Sequence, residues 1–207
     1  MKKFSERKNE DRILLLSDIP PCKNYSGGIM LAQMTKFLLD EKKKVYCYCT
    51  MSDYLNPIYN TDINNDIELK IVKRPEENMV SATKSQYKEY YKEIKRIEKS
   101  IIDYIKDNKI TKIWCPVQGE VLTKLLHGIY KKIKIDYVVQ VWDPIEWWIK
   151  EHHFDEQREK ETLLMYKELI QNAKKCITTS KSMSKKYSKE FKTKCIEVMP
   201  PLERVRI

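Results

Sequence analysis

The sequence predicts an α/β protein: a Rossmann-like parallel sheet of about seven strands with helices on both faces. Two observations carry this. Short β-branched runs alternate with longer amphipathic ones along the whole chain, and segments of that length join parallel strands through helical crossovers. The first apolar run, residues 13–17, is continuous rather than alternating, as in a strand covered on both faces.

Each element has its own signal. Strands are read at 13–17, 45–50, 67–72, 113–116, 137–142, 176–179 and 195–199 from their apolar and β-branched content. A helix over 29–40 carries Met30, Met34, Phe37 and Leu38 on one side. A longer one over 82–108 places Tyr87, Tyr91, Ile94, Ile97, Ile101 and Ile105 at three- and four-residue spacing, the stripe of a half-buried helix. Helices over 121–132, 156–173 and 181–191 complete the set, and Ser180 is a suitable N-cap for the last. Residues 54–66 and 73–80 read as loops. With no internal repeat and no Gly/Ser linker, residues 1–207 read as one domain.

Composition narrows the function classes. The 207 residues suffice for one sizeable core. There are 40 Lys plus Arg against 30 Asp plus Glu, a formal charge of +10. The opening Met1-Lys2-Lys3-Phe4-Ser5-Glu6-Arg7-Lys8 is charged, with no apolar run before Ile13, so no signal peptide is expected. No apolar stretch approaches the roughly 18 residues of a membrane-spanning helix. The six cysteines form no C-x-x-C pair, which argues against a zinc knuckle or a redox dithiol and for a reduced, cytoplasmic setting. Residues 174–207 hold 10 basic and 3 acidic side chains. Such a surface suits phosphates, anionic lipid or nucleic acid; the absence of an RNA-binding or helix-turn-helix signature ranks nucleic acid last.

In an open parallel sheet, ligands collect at the carboxyl ends of the strands. The first strand is followed by Asp18-Ile19-Pro20-Pro21-Cys22-Lys23-Asn24-Tyr25-Ser26-Gly27-Gly28 and then a helix. This is neither the dinucleotide fingerprint nor a P-loop. A glycine pair at a helix start lets phosphate approach free amides, although Gly27-Gly28 taken alone reads better as a turn needing positive φ. Past the fifth strand come Trp142, Asp143, Pro144 and Glu146. A carboxylate at such a place is suited to accept a proton, and Asp143 reads equally as a cap of the turn before Pro144. Trp147 and Trp148 read as core, with a plate for a sugar ring or lipid edge as the other option. Gln118 and Glu120, after the fourth strand, are weaker ligand candidates.

The three histidines offer no metal-binding spacing: His127 lies in a helical run, and His152-His153 are adjacent. No metal and no cofactor are expected. Lys84, Lys88, Lys92, Lys95 and Lys99 recur on one helical face with Glu89, Glu93 and Glu98 interleaved. That pattern favours a solvated face over one lying on anionic lipid.

In order and spacing these pieces resemble the N-terminal half of a GT-B glycosyltransferase. The residues that carry the likeness are Ile13-Leu14-Leu15-Leu16-Ser17 with Ser26-Gly27-Gly28, Lys44-Val45-Tyr46-Cys47-Tyr48, Val139-Gln140-Val141-Trp142-Asp143 and Ala173-Lys174-Lys175-Cys176-Ile177-Thr178-Thr179-Ser180. Cys195-Ile196-Glu197-Val198-Met199-Pro200-Pro201 resembles the last strand leading into the interdomain hinge, so that residues 200–207 begin the hinge.

The resemblance implies transfer of a sugar from a nucleotide-diphosphate donor, as co-substrate, to a saccharide or lipid-linked acceptor. Gly27 and Gly28 would bind the donor phosphate, Gln118, Trp142 and Glu146 the acceptor, and Asp143 would be the general base of an inverting reaction. In a retaining one a substrate phosphate would serve and Asp143 would only position the sugar. Many members end the fifth strand in His-Asp, where this chain has Trp142-Asp143. The donor half lies beyond these residues, so a C-terminal donor domain or a separate chain is the expected partner and this chain alone is expected to be inactive. Peripheral contact with the inner face of the membrane fits the basic surface. The alternative is a non-catalytic nucleotide- or sugar-binding domain within an assembly.

Overall fold

The computed structural model describes residues 11–51, 59–61, 67–77, 79 and 82–198. The proposed hinge at Pro200-Pro201 lies outside them, as does most of the 54–66 loop.

Among the described residues seven parallel strands form one sheet: β1 (Arg12–Ser17), β2 (Lys44–Met51), β3 (Glu68–Lys73), β4 (Lys112–Pro116), β5 (Asp136–Val141), β6 (Lys175–Thr178) and β7 (Cys195–Glu197), in the order β3-β2-β1-β4-β5-β6-β7. β1 pairs with β2 from Arg12↔Lys44 to Ser17↔Cys49 and with β4 from Ile13↔Lys112 to Leu15↔Trp114. It is therefore enclosed on both edges and both faces, and Leu14, Leu15 and Leu16 have no exposed surface. Each such leucine contributes about 1.5–3 kcal/mol of burial free energy.

The described connections between strands contain six helices: α1 (Ser26–Asp40), α2 (Lys84–Asp107), α3 (Gly119–Lys132), α4 (Ile145–Glu151), α5 (Glu156–Asn172) and α6 (Lys181–Glu190). They divide unevenly. On one face Leu14, Leu16, Ile113, Val139 and Cys176 pack with Ile94, Ile101, Leu125, Leu169 and Tyr187 of α2, α3, α5 and α6. On the other, Ile13, Leu15, Val45, Cys47 and Trp114 meet α1 as the sole helix among the described residues, through Leu31, Met34 and Leu38. Beyond α1 that face keeps an apolar groove of about 530 Å³ between Phe37 and the strand residues Val138 and Ile177.

α2 holds the predicted stripe, with Tyr90 and Ile102 added to its buried side and Tyr87 and Tyr91 at the margin. Its lysines are exposed, and Lys92–Glu89 and Arg96–Glu93 pair along the solvent side. Glu98 is the exception: it is turned inward against Gly128 of α3, bound by Lys95 and Lys132. A side chain at 128 would overlap the Glu98 carboxylate, so glycine lets α2 and α3 close.

Two expectations are corrected. α1 starts at Ser26, so Gly27 and Gly28 lie inside its first turn rather than in a turn of positive φ. Trp147 is half exposed rather than core, because it rides on the outer side of α4, a helix the sequence pattern did not show.

Candidate functional site at the carboxyl rim of the sheet

Because every strand runs the same way, all seven carboxyl ends share one rim. Connections leave β1 toward β2 and return from β3 to β4, so the crossover direction reverses between β1 and β4. In open parallel sheets such a reversal is the place where adjacent loops part and ligands are bound.

The β1–α1 loop frames it. Cys22 donates its amide to Gly28 O at 3.1 Å, and a Cβ on Gly28 would lie 2.2 Å from Cys22 Sγ and 2.8 Å from Pro20 O. Gly28 is thus needed for the loop's own closure. Gly27 abuts Trp142, whose ring would be 3.2 Å from an added Cβ. That contact joins the glycine loop to the end of β5, where Asp143 follows as an exposed residue. Tyr25, the N-cap of α1, gives no side-chain cap, and the first turn has no acid. The amides of Ser26, Gly27 and Gly28 make no backbone hydrogen bond among the described residues. They are the free donors, at the positive dipole end, that attract an anion.

The starts of α2, α3, α5 and α6 are occupied, and the short α4 begins at Pro144 with Glu146 in its first turn. Thr83 and Gln86 form a capping box on α2, Asp155 caps α5 and Ser180 caps α6. At α3 the cap comes from elsewhere in the chain. Glu77 accepts from the Glu120 amide at 3.0 Å, the Val121 amide at 3.2 Å and Trp148 Nε1 at 2.6 Å, and it pairs with Arg74 at 3.1 Å. Gly119, at φ 72, leaves room for that carboxylate.

Other sequence candidates fall differently. Gln118 is half-buried at the N-cap of α3 and makes no capping bond. Trp142 is half-buried, with Nε1 sealed and unpartnered among the described residues. Glu146 is exposed on α4 and pairs with Lys186 at 3.2 Å. Glu120 is no ligand residue: it has no exposed surface and is bound by Arg158, by Tyr90 at 2.6 Å and by Lys124 at 3.4 Å. It neutralises cations where α2, α3 and α5 meet. His127 bonds Glu168 at 2.9 Å, and His152 stacks on Trp148 at 4.2 Å.

Sequence reasoning passed over Asp18, Arg74 and Glu77. Asp18 directly follows the central strand β1, and its Oδ1 is sealed from solvent without a hydrogen-bond partner among the described residues. Burial, with Glu77 adding to it and Arg74 opposing, raises its carboxyl to about 6. The signal that singled out Asp143, an acid directly past a buried strand, applied equally here. Arg74 and Glu77 follow an edge strand in an irregular segment and carry no periodic signal.

No family model and no curated protein matches the sequence. Solved structures do. The chain is similar to a sucrose-phosphate synthase from Thermosynechococcus elongatus (12% identity, TM-score 0.62), covering 92% of this chain and 48% of that one. It is also similar to Phytolacca americana UGT2 complexed with UDP-2fluoro-glucose and pterostilbene (8%, TM-score 0.58; 94% and 55%). A third is a glycosyltransferase from Rickettsia africae (12%, TM-score 0.55; 92% and 43%). At these identities the likeness is one of fold, that of a GT-B half-domain, and the chain spans about half the length of each of these three structures.

Proposed function

We propose that the chain is the acceptor-binding half of a GT-B glycosyltransferase, moving a sugar from a nucleotide-diphosphate donor to a saccharide or lipid-linked acceptor with the help of a C-terminal donor domain. One observation carries this reading: the uncapped start of α1 and the acid after β5 share one rim, linked through the contact of Gly27 with Trp142. Anion-seeking amides beside a solvent-facing carboxylate suit a reaction in which an acceptor hydroxyl loses a proton while a diphosphate leaves. In an inverting transfer the hydroxyl oxygen bonds to the anomeric carbon as the bond to the phosphate oxygen breaks. The proton passes to Asp143, and the amides of Ser26, Gly27 and Gly28 face the charge on the diphosphate. Gln118, Trp142 and Glu146 are the proposed acceptor contacts.

The test supplies the missing half. The chain, mixed with or fused to the C-terminal half of one of the similar glycosyltransferases, is assayed for UDP or GDP release with saccharide acceptors. Release that falls about 100-fold or more in Asp143→Ala supports the assignment. Binding of the sugar nucleotide with no release in any combination favours a non-catalytic binding domain instead.

A further inference from the structure

Trp147 presents half of its surface to solvent from the first turns of α4, whose inward residues are Ile145 and Ile149. A single exposed apolar side chain is ordinary on a protein surface. This one differs in how it is held and in where it stands. Its ring meets the Trp148 ring edge-on, with centroids 6.4 Å apart and 68° between the planes. Trp148 is fixed in turn: it packs on the core, its Nε1 donates to Glu77 at 2.6 Å, and the His152 ring stacks on it at 4.2 Å. Glu77 is itself anchored by the Glu120 and Val121 amides of α3. The exposed indole is thus braced through Trp148 and Glu77 to the body of the domain. Its place is set by the turn that closes directly after Asp143, where the Trp147 amide donates to Pro144 O at 3.1 Å. Trp147 therefore follows Asp143 by about one helical turn, a rise of about 5.4 Å, comparable with the span of one pyranose ring. Its neighbour Glu146 is also exposed and pairs with Lys186 at 3.2 Å.

We propose that Trp147 is a second acceptor subsite, a platform for the pyranose unit next to the one that reacts at Asp143. This deepens the transferase reading and rests on it, and it makes the acceptor an oligosaccharide of at least two units. The chemistry selects the ligand. The C–H groups on the apolar face of a pyranose meet the negative face of the indole, and its hydroxyls project to the side, where Glu146 accepts and Lys186 donates. A ring already held in place offers that contact area at little cost in side-chain entropy. Charge argues against an anionic lipid or nucleic acid as the occupant: residues 143–161 hold 3 basic and 7 acidic side chains, a field that repels phosphates and leaves an uncharged saccharide unaffected. Trp148, Glu77 and His152 are the positioning residues behind the platform.

The test uses the full chain with cellobiose, lactose, maltose and mannobiose as probes, and phosphatidylglycerol vesicles and polylysine as controls. The Trp147 Nε1–H signal, assigned through Trp147→Phe, is followed by NMR. It should move with at least one disaccharide, whose affinity should weaken about ten-fold or more in Trp147→Ala and stay within about three-fold in Trp147→Tyr. With the supplied donor half, Trp147→Ala should raise the KM for that disaccharide about ten-fold and leave kcat within about two-fold, a split that a purely structural ring would not produce. Because the ring is half exposed, Trp147→Ala should unfold at the wild-type urea concentration; a large loss of stability would make the ring part of the core and overturn the platform. A signal indifferent to all four disaccharides would overturn it too. So would one that moves only with the vesicles or with polylysine, which would assign the ring to a membrane or to a basic partner. If nucleotide release with the donor half persists while the KM is unchanged in Trp147→Ala, the transferase reading stands without the platform. Disaccharide binding at Trp147 with no release in any combination would keep the platform and remove the transferase reading.

Discussion

Glycines 27 and 28 differ by one position and by most of their physics. An alanine methyl at 28 must displace Cys22 Sγ and the Pro20 carbonyl, which are loop atoms held by the Cys22–Gly28 hydrogen bond. Gly28→Ala should destabilise the fold by about 1–3 kcal/mol in urea unfolding. At 27 the neighbour is the edge of the Trp142 ring at 3.2 Å, which can tilt, so Gly27→Ala should cost less stability. Glu120 provides a contrasting case. Removing its charge with Glu120→Gln leaves Arg158 buried without a counter-ion, and a loss of about 3–5 kcal/mol is expected in the same measurement. None of these distinctions is visible in the residue types. Gly27 and Gly28 stand side by side in the sequence, and Glu120 resembles any first-turn acid of a helix.

At the scale of elements, the seven strands and the longer helices follow from periodicity, and the departures have local causes. α1 begins ahead of its apolar stripe because Ser26-Gly27-Gly28 supplies a first turn with nothing to bury. α4 has seven residues, too few turns for a three-and-four spacing to register. The helix starts carry the sharper lesson. Thr83 and Gln86 close α2 by a local capping box, and Thr83→Ala should lower stability by about 1 kcal/mol in urea. α3 is capped by Glu77 from more than 40 residues away. Only α1 combines more than two turns with neither a side-chain cap nor a first-turn acid among the described helices, and the donor-phosphate proposal rests on that difference.

For the whole molecule, opposed shifts among its carboxylates set a pH optimum of stability. Hydrogen bonds from Lys131 and His127 lower Glu168 to about 2, those from Lys112 and Lys43 lower Asp11, and that from Arg96 lowers Glu93. These groups stabilise the fold above the ordinary carboxylate range, and their contribution is lost as pH falls through their folded values. Asp18 acts in the opposite sense. Its folded value, raised to about 6 by burial, means that the native state holds the proton more tightly, so stability declines as pH rises from about 4 to above 6. Melting temperatures across pH should therefore peak near about pH 4 to 5, and Asp18→Asn should flatten the upper limb alone. The sequence by itself determined the α/β class, the strand positions, the amphipathic faces and the rim formed by the strands' carboxyl ends, because periodicity and chain direction are local properties. Tertiary structure alone decided which acid at that rim has a sealed carboxylate oxygen and which is exposed. It also decided which helix start is filled, and that, among the described residues, one sheet face packs against a single helix. Those outcomes depend on groups dozens of residues apart meeting in space, where burial and charge act through distance rather than through order along the chain.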